Sequence, residues 1–369
     1  MPEPLRVTDE NYVLRLRVWT EGSDKPLQGC GVRGFFQRFS CVGCMELGGC
    51  WHWTGAGGAG DGGGVDVEFG VLVDVREEGA GYSGERVEEV AVADELGFEG
   101  AWLSEHHLAA DGVLPSPLVM AGVLAGRTSR IRIGTNVLVL PLHHPLRVAE
   151  NAAVLDLVSG GRFVLGVGQG YAEREFAAFG ADRRRRGALL EEGVETIRRA
   201  WAGDLSVTPR PGHRIPIYAA GVTEAGLQRA ARVGDGVIIY CATPADLIAR
   251  RKLLDEVVED PPPLICTGIM HVDEDADRAW AAAAPGIAYL EGEIASYGGT
   301  EPPALRREDY LVGTPEDVAG RLIELQAATR FVQFAHWLRL PTMSHEAALR
   351  SLELVAARVI PAVRAGVGR

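Results

Sequence analysis

From residue 67 onward, short all-apolar runs alternate with longer stretches of helical periodicity. Runs at 67–73, 100–104, 131–140, 163–167, 215–220, 236–240, 264–272 and 331–338 are rich in Val, Ile, Leu and Phe, with little polar alternation. That pattern predicts strands buried on both faces, as in a parallel sheet. Between them, apolar residues recur three and four apart. Val87, Val90, Ala91 and Ala93 mark a helix over 85–96, ended by Gly97. Ala149, Ala152, Ala153, Leu155 and Leu157 mark another over 145–159, opened by Pro145 and ended by Ser159, Gly160 and Gly161. Leu190, Val194, Ile197 and Trp201 give a third over 187–201. Further helices are predicted over 117–125, 244–258 and 345–364, after a Thr223 cap, and from Pro315.

A strand followed by a helix, repeated to the C-terminus, predicts an α/β fold, a (β/α)8 barrel. Residues 275–308, Ala-rich and then Gly-rich, read as an insertion before the last strand that passes over the active-site face. An open doubly wound sheet is disfavoured, because the strand count and the repeat both persist to the end.

Residues 1–64 do not share this pattern. They end in a glycine tract at 55–64, a flexible composition. Cys41 and Cys44, with Cys50 and His52 nearby, raise a zinc reading, but one CxxC pair falls short of the two a structural site uses. The segment is read as an extension outside the fold, or as upstream sequence with a start codon at Val65 or Val67. The folded domain is then 65–369.

The 369 residues are 47% hydrophobic, enough for a large core, and carry a net charge of −13. That charge argues against nucleic acid or an anionic membrane as main partner. No apolar run reaches membrane-spanning length and no signal-peptide pattern opens the chain, so a cytoplasmic protein is expected. Cys241 and Cys266 read as buried thiols of a reducing compartment.

In a barrel of this kind, residues at C-terminal strand ends line the active site. His106 follows the second strand directly, where an imidazole can move a proton near neutral pH. Glu105 and His107 flank it as orienting groups. His143 and His144 close the third strand, and Pro145 behind them suggests a shaped turn. Spaced metal ligands are not apparent. Asn136 is the polar residue inside the third strand, and its amide needs a partner, either across the barrel or in a bound ring system. After the fifth strand, Gly221 and Val222 offer backbone N–H groups and Thr223 a hydroxyl, which suit a phosphate. The glycines at 166–170 are too short a pattern for a dinucleotide fingerprint.

Several of these stretches, in order, resemble the bacterial-luciferase-like flavin monooxygenases. The likeness is carried by Glu105-His106-His107, by the His-Pro-Leu-Arg-Val-Ala-Glu run at 144–150, by the Leu-Asp-Leu-Val-Ser-Gly-Gly-Arg-Phe run at 155–163, and by the Gly-Val-Gly-Gln-Gly run at 166–170. The resemblance implies a flavin-dependent oxidoreductase, a two-component monooxygenase that takes reduced FMN from a separate flavin reductase and uses O2 on a small organic substrate. It makes His106 catalytic. It implies a non-proline cis peptide bond between Asn136 and Val137 behind the flavin ring, with the phosphate at Gly221, Val222 and Thr223. Family members often place an arginine where this chain has Gln169. Arg186 is the best match to a family arginine, while Arg183, Arg184 and Arg185 read as a solvated loop. A homodimer is expected. The alternatives are a hydride-transfer enzyme using the deazaflavin coenzyme F-420, and a non-catalytic flavin-binding protein.

Overall fold

The first strand serves two cores at once: Phe69, Val71 and Val73 pack outward toward helices, while Leu72 joins the interior cluster. In the computed structural model, which describes residues 67–76, 84–298 and 301–367, this strand is β1 (Glu68–Val73). It is followed by α1 (Gly84–Leu96), β2 (Gly100–Leu103), α2 (Pro117–Arg127), β3 (Arg132–Thr135), β4 (Leu138–Val139), α3 (Pro145–Ser159) and β5 (Phe163–Gly168). Next come α4 (Glu173–Phe179), α5 (Arg186–Ala202), β6 (Ile217–Ala220), α6 (Glu224–Val233), β7 (Gly236–Tyr240), α7 (Pro244–Val257) and β8 (Leu264–Gly268). The last part holds β9 (Met270–Val272), α8 (Ala276–Gly298), β10 (Leu311–Gly313), α9 (Pro315–Thr329), β11 (Gln333–Trp337), α10 (His345–Leu354) and α11 (Ile360–Val367).

Nine strands pair in parallel in the order β3-β2-β1-β11-β8-β7-β6-β5-β4, and β3 also pairs with β5, which closes the ring. With β3 and β4 acting as one interrupted strand, this is the predicted (β/α)8 barrel. Trp102 lies in its interior, and the strand glycines make room for it. A Cβ on Gly134 would lie 2.5 Å from the indole, and one on Gly100 2.7 Å from its nitrogen. The indole N–H donates to Gln333 Oε1 at 2.7 Å, and Tyr218 meets the ring edge-on at 6.4 Å. Outside, Thr223, as expected, and also Thr243, Thr314 and Ser344 each accept a backbone N–H three residues on, fixing the starts of α6, α7, α9 and α10.

Three expectations are corrected. The run 131–140 is not one strand: Asn136 and Val137 bulge out between β3 and β4, and Leu140–Leu142 makes a 3-10 turn. The run 264–272 also divides, because residues past Gly268 leave the barrel and pair as β9 with β10 of the insertion. The closing helix is interrupted by a π turn over Val355–Val359. Apolar content alone does not report such breaks, since the freed backbone groups are satisfied by new neighbours.

The insertion lies where the sequence placed it. Ala279, Ala283, Ile287 and Leu290 of α8 join Leu72, Trp337 and Leu340 in the interior cluster. Arg76, after β1, pairs with Glu293 at 2.9 Å, and Tyr289 donates to Asp111 at 2.7 Å in the loop after β2. The helix is thus tied to loops at the C-terminal ends of the strands. The zinc reading and the extension over 1–64 fall outside the described residues. Among the described residues, no helix is long and apolar enough to cross a membrane.

Candidate active site

The end of β2 delivers Glu105, His106 and His107 to the barrel mouth. Glu105 is buried, and its Oε1 faces two imidazoles: His143 Nε2 at 2.6 Å and His107 Nε2 at 3.2 Å. Its Oε2 accepts from the Val139 N–H. An ionised carboxylate only accepts, so both imidazoles carry a proton on Nε2. Burial alone would raise the Glu105 pKa, but the bonds from His107, His143 and Val139 hold the carboxyl below its ordinary range. The bond to Glu105 raises His107 against the opposing effect of burial. The three donor atoms lie within 4.8 Å of one another, a grouping of the kind that also holds metals, and hydrogen bonds already satisfy it here.

Glu105 therefore orients His107 and His143, not His106 as its adjacency suggested. His107 is further held by its own N–H donating to Glu175 Oε1 at 2.9 Å, and by the Phe179 ring, 4.5 Å from its own. His106 is different. It is half-buried, and among the described residues its ring makes no hydrogen bond. Its backbone N–H, bonded to the Leu114 carbonyl at 3.1 Å, fixes its place while leaving the imidazole available.

The bulge after β3 sits level with the end of β2, where the Asn136 N–H donates to the Leu103 carbonyl at 2.7 Å. The peptide bond between Asn136 and Val137 is cis, as the resemblance implied. The glycines of β5 allow the bulge. A Cβ on Gly166 would lie 1.8 Å from the Thr135 carbonyl oxygen, and one on Gly168 2.4 Å from Val137 Cγ2. These glycines thus serve backbone packing. Asn136 Nδ2 is buried without a hydrogen-bond partner, and buried amide donors are rarely left so. Among the described residues, Nδ2 meets no acceptor across the barrel. A donor waiting at the mouth fits the edge of a planar ring carrying carbonyl or imine acceptors, as flavins and deazaflavins do.

On the β5–β6 side, Gly221 is buried and Val222 and Thr223 are exposed at the start of α6, with Thr223 Oγ1 accepting from the Gly226 N–H at 3.2 Å. Arg186 is half-buried in the first turn of α5, whereas Arg183, Arg184 and Arg185 are exposed, as expected of a solvated loop. Gln169 accepts from Arg229 of α6 at 3.1 Å. Arg229, Glu175 and Phe179 escaped the sequence reading. Each belongs to a helix whose facing is set by its neighbours, and no spacing in the chain links them to His107 or Gln169.

A family model described as luciferase-like monooxygenase matches residues 67–330. The 4-hydroxyprotoasukamycin monooxygenase of Streptomyces nodosus subsp. asukaensis is 29% identical over 317 residues, 73% of this chain and 83% of that protein. The oxygenating constituent of 3,6-diketocamphane monooxygenase from the CAM plasmid of Pseudomonas putida, solved in complex with FMN, superposes with a TM-score of 0.66 at 17% identity, covering 80% of this chain and 98% of its own. The coenzyme F-420-dependent tetrahydromethanopterin reductase of Methanopyrus kandleri superposes with a TM-score of 0.65 at 20% identity, covering 81% and 99%. At those identities the two structures speak for the fold.

Proposed function

Because this chain belongs to the luciferase-like monooxygenase family, we propose that it is a flavin-dependent monooxygenase using reduced FMN, delivered by a separate reductase, and O2 on a small organic substrate. The observation that carries the cofactor part is Asn136 Nδ2, a buried donor whose partner is missing from the protein. Bound FMN would supply the reducing equivalents that activate oxygen. The chain's own groups would do the rest. Asn136 donates to the ring, and Val137 backs it. Gly221, Val222 and Thr223, with Arg186, hold the phosphate. His106 moves protons between the reacting oxygen and solvent. Glu105, holding His107 and His143, keeps that wall of the mouth rigid, and α8 restricts water from above.

A second reading, hydride transfer with coenzyme F-420, draws on Gln169 in place of an arginine and on the likeness to an F-420-dependent reductase. Mixing the protein anaerobically with reduced FMN and then admitting air separates the two. FMN binding is expected, followed by oxygen uptake whose course differs from that of free reduced FMN, which consumes oxygen by itself. An oxygenated product is expected when a substrate is added. Binding of F-420 with hydride transfer would replace the FMN reading, and flavin binding with reoxidation no different from that of free FMN would leave a binding protein.

Val119 and Val123 on α2 and Val154, Leu157 and Val158 on the neighbouring α3 are exposed, and this aliphatic face suits a homodimer. Val158→Asp should then lower the sedimenting mass to that of one chain. Residues 68–337 supply every strand of the barrel, so a chain beginning at Val65 should melt at the same temperature and keep its cofactor affinity.

A further inference from the structure

Arg229 sits in the second turn of α6, and its side chain runs back toward the start of that helix. Its Nη1 reaches the Ala225 carbonyl at 3.5 Å and donates to Gln169 Oε1 at 3.1 Å, just beyond the end of β5. Its Nε donates to Glu191 Oε1 at 2.8 Å on α5. At Gly187, in the first turn of α5, a Cβ would lie 2.7 Å from the guanidinium carbon, so a residue without a side chain leaves the space that Arg229 occupies. The guanidinium therefore lies where the starts of α5 and α6 converge, beside the end of β5.

The local charge balance is positive. Glu191 Oε1 also accepts from Arg232 Nη2 at 2.6 Å, so two guanidinium groups share one carboxylate. Arg186 adds a cation in the first turn of α5, and Glu224, exposed in the first turn of α6, is the acid nearest in sequence to the Gly221 loop. The starts of α5 and α6 add the positive end of two helix dipoles. Arg229 Nη2 makes no hydrogen bond among the described residues and lies beside Gly187, and the side chain keeps 22% exposure. A cation held by two partners, with a spare donor beside helix starts, is matched to a phosphate monoester dianion.

We propose that Arg229, positioned by Gln169 and Glu191, joins Arg186 as a second cation that binds the terminal phosphate of the cofactor, so that the phosphate site of this chain draws on both α5 and α6. The inference rests on the FMN reading above. Gln169 then has a function of its own, as the acceptor that aims the guanidinium.

The test compares FMN with riboflavin, which lacks the phosphate, by flavin fluorescence quenching in the full chain. Arg229→Gln should weaken FMN binding about 10- to 100-fold, the range for losing a hydrogen bond to a charged group, and leave riboflavin binding unchanged. Gln169→Arg added to Arg229→Gln should restore FMN affinity by supplying the cation from the end of β5. Equal loss for both flavins would make Arg229 a structural tie between α5 and α6 and overturn the proposal. So would unchanged FMN affinity in Arg229→Gln, or failure of the restoring substitution in a chain that still binds riboflavin. If the unaltered chain binds neither flavin, the FMN reading itself fails and takes this proposal with it.

Discussion

His143 Nε2 donates to Glu105 Oε1 across 2.6 Å, joining the turn after β4 to the end of β2 through a carboxylate with no exposed surface. That carboxylate also holds His107, so three residues from two elements share one charge. The sharing has a pH signature. Glu105 ionises below its ordinary value, so its contribution is complete above about 4.5 and is lost as pH falls through the folded value. His107 titrates above its ordinary value, so its contribution is complete below about 6.5 and is lost as pH rises through the folded value.

Glu105→Gln should therefore cost about 1–3 kcal/mol of stability, the range for a buried bond to a charged group. The Tm difference from the unaltered protein should be largest between pH 4.5 and 6.5 and shrink on both sides. Melting curves recorded across that span check it. A difference that does not vary with pH would show that Glu105 acts by size and shape alone.

His106→Ala should keep the fold and the cofactor affinity, because among the described residues the ring makes no hydrogen bond. Turnover should fall about 10²–10⁴-fold, the usual contribution of a positioned proton-transfer group, or roughly 3–5 kcal/mol in the barrier. His107→Ala should do the reverse, lowering Tm through the lost contact with Phe179 and the lost bond to Glu105 while affecting the rate less. Oxygenated product and Tm measured side by side decide between them, and intact turnover in His106→Ala would remove His106 from the chemistry.

Asn136→Ala removes a buried donor that has no partner in the protein, so the cofactor-free chain should lose no stability and gain up to about 1 kcal/mol. Cofactor affinity should fall about tenfold, the equivalent of one hydrogen bond. Differential melting with and without ligand reads both effects. A drop in Tm without ligand would mean that the amide serves the protein rather than a bound ring.

Gly166→Ala should be severe, since its Cβ would lie 1.8 Å from the Thr135 carbonyl oxygen, which cannot withdraw without moving β3. A loss of about 3 kcal/mol or more is expected, at the upper end for overpacking. Gly126→Ala, on α2 with nothing within 4 Å of the added carbon, should instead gain about 0.5–1 kcal/mol from helix propensity. Denaturant midpoints of the two variants give the contrast, and similar values for both would contradict the packing described for the bulge.

The barrel, its strand order along the chain and most helix ends were readable before any coordinates, because they follow from local facts. Apolar runs buried on both faces, proline at first turns, and Thr223 as a cap act within a few residues. The placing of His106 at a strand end has the same origin, since strand and residue are adjacent in sequence. What lay beyond the sequence is what depends on separated elements meeting. Glu105 is adjacent to His106, yet its carboxylate reaches 38 residues along the chain to His143. Arg229 lies 60 residues from Gln169 and reads as one more helix-surface arginine until the barrel brings the two together. Asn136 could be recognised as a polar residue in an apolar run, but whether its amide was satisfied depended on every neighbour that closing the barrel supplies or withholds. Periodicity records which side of an element is buried; which groups share that space is decided only when the ring closes.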